Sequence, residues 1–277
     1  MVSIWFHPST VLYGVPEGDA SNEEVAQDMV LTLRNYFQLD KVSLEECYKR
    51  WSKLDPNFDK KACSVQGIRI LRQDPWENLV QKLSVHYGTK VATMDDVDFY
   101  EFPGPEKLAQ EGVEANLRTL GFGYRAKYIA QTAQKIVEHE QKQAWLSCLR
   151  DVPYGEAKQA LLQFSGVGPK VADCVCLMSL DHSEAIPVDT HVWQIALRDY
   201  GFSKKNQTKT LTSRLYDDIG NHFRTLFGPY SGWAHSVLFT ADLRSFEDRF
   251  SKNQGIEEKE VEEDNKIVRR SKRLRRN

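Results

Sequence analysis

The chain has 277 residues, 41% of them hydrophobic and 11% aromatic, which is enough apolar material for one large or two modest cores. Its formal net charge is −2 and it holds no run of about 18 or more apolar residues, so neither a membrane span nor a uniformly basic nucleic-acid binder is expected. The first residues, MVSIWFHPST, have neither the basic flank nor the long apolar centre of a signal peptide, and an intracellular protein is the expectation.

In chain order, Gly14, Pro16 and Gly18 beside short apolar runs predict strand and turn. Ser21-x-x-Glu24 has the form of a capping box, and Val25, Met29, Leu33 and Phe37 follow at the spacing of one helix face. Further helices are expected over 43–53, 75–87, 105–119, 124–140 and 143–150, separated by turns such as Gly121 to Tyr124. Five scattered cysteines, Cys47, Cys63, Cys148, Cys174 and Cys176, suggest buried thiols rather than a zinc site or a redox pair. The chain ends on an acidic run, Glu257 to Asp264, and a basic one, Lys266 to Asn277. Such a tail suits disorder, and equally nuclear import or phosphate contact.

The informative stretch is 154–200. Tyr154 to Phe164 reads as a helix, Ser165 to Gly168 as a tight turn, and Pro169 to Leu180 as a second helix with proline at its first position. Two glycines allow close backbone approach, and free N–H groups at the second helix can hold a phosphate; a plain helix–helix corner fits the same residues. Lys170 falls in the first turn, where the dipole disfavours a cation, and dipole and partial burial together would push its amine toward the free, nucleophilic form. Nineteen residues on, Ile186-Pro-Val-Asp189 precedes an apolar-periodic helix, Thr190 to Tyr200, so Asp189 also stands where an N-cap belongs.

Taken together, GVGPK followed by PVDTHVW resembles the helix-hairpin-helix plus Gly/Pro…Asp motif of base-excision DNA glycosylases. LLQFSGVGPKVADCVCLMSLDHSEAIPVDTHVWQIALRDY and LFGPYSGWAHSVLFTADLR are similar to eukaryotic 8-oxoguanine DNA glycosylase/AP lyases, with gaps, over about 10–246. The resemblance implies a mainly α fold, with a helix-hairpin-helix glycosylase domain and a residual, incomplete N-terminal α+β portion. Residues 1–74 would be the N-terminal remnant, 75–250 the helical domain with its hairpin at 154–180, and 251–277 a disordered charged tail.

It also implies a bifunctional enzyme acting on double-stranded DNA that contains oxidised guanine or abasic sites, as a monomer, in the nucleus or in a mitochondrial pool. No metal or cofactor is implied. Lys170 would attack the sugar of an extruded nucleotide, and Asp189 would keep it reactive and stabilise positive charge on the sugar. Gly166, Gly168 and Val171 would offer backbone contacts to one phosphate and His191 would touch another. Phe239 would stack on the flipped base, with Cys174 and Met178 on the opposite wall and His235 at the base edge. Tyr124 and Arg125 would wedge the duplex and read the orphaned cytosine.

The sequence also departs from that family. An Asn-rich hairpin that follows a segment like RILRQDPWENLV is missing, because the chain passes directly to QKLSVHYG, and Met1 aligns inside the family's N-terminal domain. A truncated or internally deleted form is the expectation. His235 stands where the family has a glutamine, and an imidazole offers a different donor and acceptor set from a carboxamide. The alternative reading is a catalytically impaired DNA-binding isoform, or a lyase without lesion recognition. A third is an unrelated hairpin protein that binds DNA structurally.

Overall fold

The computed structural model describes residues 3–7, 10–14, 31, 34, 42–62, 74–94, 97–140, 143–202 and 210–242. The expected capping box at Ser21 and most of the helix after it lie outside these residues, as does the charged tail. Contacts divide the chain into two units, one of Met1–Ile68 with Ser236–Asn277 and one of Arg69–His235.

In the first unit, β1 (Ser3–His7) and β2 (Thr10–Gly14) form an antiparallel pair in which Ser3 faces Gly14 and His7 faces Thr10. Helix α1 (Leu44–Leu54) starts on a true cap: Ser43 Oγ accepts from the Glu46 N–H, and Glu45 and Glu46 complement the positive end of the dipole. It stops where Pro56 forbids continuation, and buried Asp55 caps α2 (Pro56–Ala62), accepting from the Asn57 and Phe58 N–H groups at 2.9 and 3.1 Å. Trp51 and Phe58 pack edge to face with ring centroids 5.5 Å apart, and Tyr48 joins them.

The second unit is mainly α, as expected. Helix α3 (Asp74–Tyr87) leads into the antiparallel pair β3 (Lys90–Met94) and β4 (Val97–Tyr100), which the sequence reading did not anticipate. The single helix expected over 105–119 is two, α4 (Pro105–Leu108) and α5 (Val113–Thr119), because Gly112 adopts φ +80° and ends the helical path. Then come α6 (Arg125–Glu138), α7 (Gln143–Cys148), α8 (Tyr154–Leu161), α9 (Pro169–Ser179), α10 (Thr190–Asp199) and α11 (Ser213–Phe227). A final helix, α12, runs over 231–242 across the division between the units.

Among the described residues, two apolar clusters lie in this unit. Leu83, Leu108, Val113, Leu117, Phe122, Ala126 and Ala133 join α3 to α6. Ile136, Leu149, Ala157, Leu161, Phe164, Ala172 and Cys176 join the end of α6 to α8 and α9, so the helix-hairpin-helix stands on its own core. On α11, Leu215, Ile219, Phe223 and Phe227 recur every fourth residue and are all buried, as an amphipathic helix requires.

Candidate active site

The hairpin follows from its sequence. Beyond Leu161 the chain folds back through Phe164 N–H to Leu161 O and Val167 N–H to Phe164 O, and Gly166 takes φ +80°, a conformation that glycine adopts without penalty. Gly168 precedes α9 in extended conformation and Pro169 opens the helix. No side chain caps α9 and its first turn has no acidic residue. By helix geometry the Lys170 and Val171 N–H groups then have no acceptor within the helix. Gly166, Gly168 and Val171 therefore present backbone at the positive end of a helix, an arrangement suited to an anion.

Lys170 is exposed, so the partial burial expected of it is not there. Cys174 lies one turn on along the same face; burial raises its thiol above the ordinary value, and Lys170 opposes that rise. The charge of Asp189 also acts on Cys174 and again on His235. Lys170 and Asp189 thus both act electrostatically on Cys174, and Asp189 acts on His235. His235 is only 6% exposed, and burial pulls its imidazole down to about 4, opposed by the charge of Asp189 and by the Gly232 backbone.

Asp189 caps α10 as its position predicts, with Oδ1 accepting from the Val192 N–H at 2.9 Å. Among the described residues no salt bridge joins it to Lys170. His191, the second residue of α10, is half-buried. Met178 is 74% exposed and Val171 43%, so both lie open to solvent.

Tyr124 and Arg125 stand at the start of α6. The Tyr124 ring is 63% exposed, with the Arg125 guanidinium 4.7 Å from its centroid. Phe239 is half-buried on α12 and belongs to the first unit. Where the resemblance places an interrupting Asn-rich hairpin, α3 runs unbroken through Asp74–Tyr87.

Sequence reasoning passed over Tyr128, whose ring lies on Gly166, and the buried group Tyr154, Lys158, Asp173 and Tyr216. A signal for the second existed: Asp173 is an acid in the apolar stretch of α9, and Tyr154 and Lys158 share a face of α8. Of the cysteines, Cys47 and Cys176 are buried as expected; Cys174 is half-buried, and Cys148 is exposed because it sits at the outer end of the short helix α7. Cys63 lies outside the described residues. Among the described residues no cluster of three or more His, Cys, Asp or Glu could hold a metal ion, and no helix is long and apolar enough to cross a membrane.

Known proteins resemble this chain in sequence and in fold. The family model "HhH-GPD superfamily base excision DNA repair protein" matches residues 74–219, and "8-oxoguanine DNA glycosylase, N-terminal domain" matches residues 7–79. The chain is 37% identical to an N-glycosylase/DNA lyase of Saccharomyces cerevisiae over 273 residues, spanning 84% of this chain and 71% of that protein. It is 39% identical over 223 residues to the Arabidopsis thaliana N-glycosylase/DNA lyase OGG1, covering 73% of this chain and 59% of the plant protein. Among solved structures, the Clostridium acetobutylicum 8-oxoguanine glycosylase/lyase, in complex with double-stranded DNA containing cytosine opposite 8-oxoguanine, is 28% identical. That likeness has a TM-score of 0.66 and covers 89% of this chain and 82% of that one.

Proposed function

The chain belongs to the helix-hairpin-helix–GPD superfamily of base-excision DNA repair proteins and, within it, to the N-glycosylase/DNA lyases, and from that premise we propose that it removes oxidised purines, 8-oxoguanine opposite cytosine, from double-stranded DNA and then cleaves the strand. The observation that carries the reading is the hairpin itself, with Lys170 exposed in the uncapped first turn of α9 and Asp189 at the cap of α10. The substrate requires an extruded nucleotide, and Lys170, exposed at the start of α9, is free to reach a sugar that enters from solvent.

In this reading the Lys170 nitrogen forms a bond to C1′ as the C1′–N9 bond breaks, and the base leaves with the bonding electron pair and takes up a proton. Loss of a proton from nitrogen and opening of the sugar give the Schiff base. Removal of a C2′ proton then expels the 3′ phosphate, and water releases the amine. Asp189 would stabilise positive charge as it develops on the sugar. Gly166, Gly168, Val171 and His191 would hold phosphates; Cys174, Met178 and His235 would line the base site; Tyr124 and Arg125 would enter the duplex. The protein would act as a monomer in the nucleus.

Unbroken α3 and His235 favour a second reading for this chain, a lyase without selectivity for the oxidised base. Borohydride trapping decides between the two, on one duplex with 8-oxoguanine opposite cytosine and one with an abasic site, with Lys170→Gln as control. Trapping on both, lost in the variant, is the expected result. Trapping on the abasic duplex alone establishes the lyase reading, and none on either overturns both.

A further inference from the structure

Asp173 lies on α9 one turn beyond Lys170 and is fully buried. All of its partners are polar. Tyr154 Oη donates to Oδ1 at 2.6 Å, while Lys158 Nζ and Tyr216 Oη donate to Oδ2 at 2.9 and 2.5 Å. Lys158 is itself nearly enclosed, its side chain 14% exposed against 1% for Asp173. Burial and the Asp173 charge both push the Tyr154 and Tyr216 hydroxyls far above the ordinary tyrosine value, so each keeps the proton it donates.

The network does not end at the carboxylate. Tyr216 Oη gives its one proton to Asp173 and accepts, on its oxygen, the Val188 N–H at 3.3 Å. Val188 is the residue immediately before Asp189, and it is buried. A hydrogen-bonded path therefore runs from the helix that carries Lys170, through Tyr216 of α11, to the backbone that sets Asp189 in place.

Burying a carboxylate with an ammonium carries a desolvation cost that apolar side chains of similar volume avoid, so packing alone gives no reason for this choice. Directional bonds do what apolar packing cannot, since they fix where two backbone segments lie. We propose that Tyr154, Lys158, Asp173 and Tyr216 are positioning residues for the reaction, a buried polar brace that fixes the Asp189 segment relative to the helix of Lys170. The proposal rests on the roles assigned to Lys170 and Asp189 above.

The test is Tyr216→Phe in the full chain, which removes one oxygen and leaves the ring in the core. Amide hydrogen exchange is followed at Val192, whose N–H is held by Asp189 Oδ1. Single-turnover Schiff-base trapping is followed at saturating abasic duplex, alongside the affinity for that duplex. The expected result is faster exchange at Val192, roughly tenfold or more slower trapping, and affinity within about twofold of the parent, since misplaced groups reduce turnover more than binding.

Unchanged exchange at Val192 overturns the proposal whatever the trapping rate, and so does accelerated exchange with trapping at the parental rate. If the parent chain itself traps nothing, it is the Schiff-base reading that fails, and Val192 exchange still decides the brace. Should Tyr216→Phe not melt cooperatively, Asp173→Asn, which keeps the shape and removes the charge, is read by the same two measurements.

Discussion

Tyr128 lays its ring against the backbone of Gly166, so that a Cβ on that glycine would enter the ring. The same ring meets Tyr124 edge to face, with centroids 6.0 Å apart. The turn of the hairpin and the exposed aromatic at the start of α6 are thus held in register by one side chain. Lys135 adds a second tie, donating to Gln163 O at 2.8 Å.

Gly166→Ala combines a strained φ of +80° with that clash, and is expected to destabilise the protein by about 2 kcal/mol or more, measured by denaturant unfolding. The double variant Gly166→Ala/Tyr128→Ala removes the clash and leaves the strain. It is expected to show a cost smaller than the sum of its two single variants.

Asp189→Asn separates the observed helix cap from the charge role proposed for Asp189. Asparagine caps a helix about as well as aspartate, so thermal melting is expected to change by only a few tenths of a kcal/mol. Schiff-base trapping is expected to fall by roughly a hundredfold or more, because the carboxylate charge is gone. Asp189→Ala loses the Val192 bond as well and should melt lower by about 1 kcal/mol.

Lys170→Gln is expected to abolish trapping without changing stability by more than about 0.5 kcal/mol, since Lys170 is exposed and makes no salt bridge. The check is trapping and urea unfolding on one preparation. A large loss of stability would mean that Lys170 supports the hairpin itself.

His235 makes stability depend on pH. Its folded value is about 4, against 6.5 when unfolded, so between those values the unfolded chain holds a proton that the folded chain refuses. The stability that this burial preserves is complete above about pH 6.5 and falls as the pH drops toward 4, by an amount on the order of 3 kcal/mol. His235→Gln is expected to flatten that slope, seen as a smaller difference in urea midpoint between pH 7 and pH 5 than in the parent.

The hairpin and the Asp189 cap were legible because their signals are local: two glycines, a proline at a helix start, and an aspartate before an apolar-periodic run. Gly112 carried a local signal too, and it explains why 105–119 is two helices. Lys170 was expected to be partly buried, yet the first turn of α9 projects outward and leaves it exposed. Asp173 could be flagged as an acid on an apolar helix but not assigned, since its partners stand 15, 19 and 43 residues away and only the fold brings them together. The β3–β4 pair was missed because two short runs with no glycine between them give little hairpin signal.

The Tyr216–Asp173 bond closes a loop of 43 residues, whereas the hairpin that carries Lys170 is complete within 154–179 and packs on α6 and α7 upstream of it. Local contacts close quickly and distant ones late, so hairpin and reaction centre mature at different times as the chain leaves the ribosome. A nascent chain that has emerged as far as Asp199 holds the backbone suited to a phosphate, but not the tyrosine that steadies Asp189. The bond that ties Tyr216 to Asp173 is therefore expected to close after the hairpin that carries Lys170.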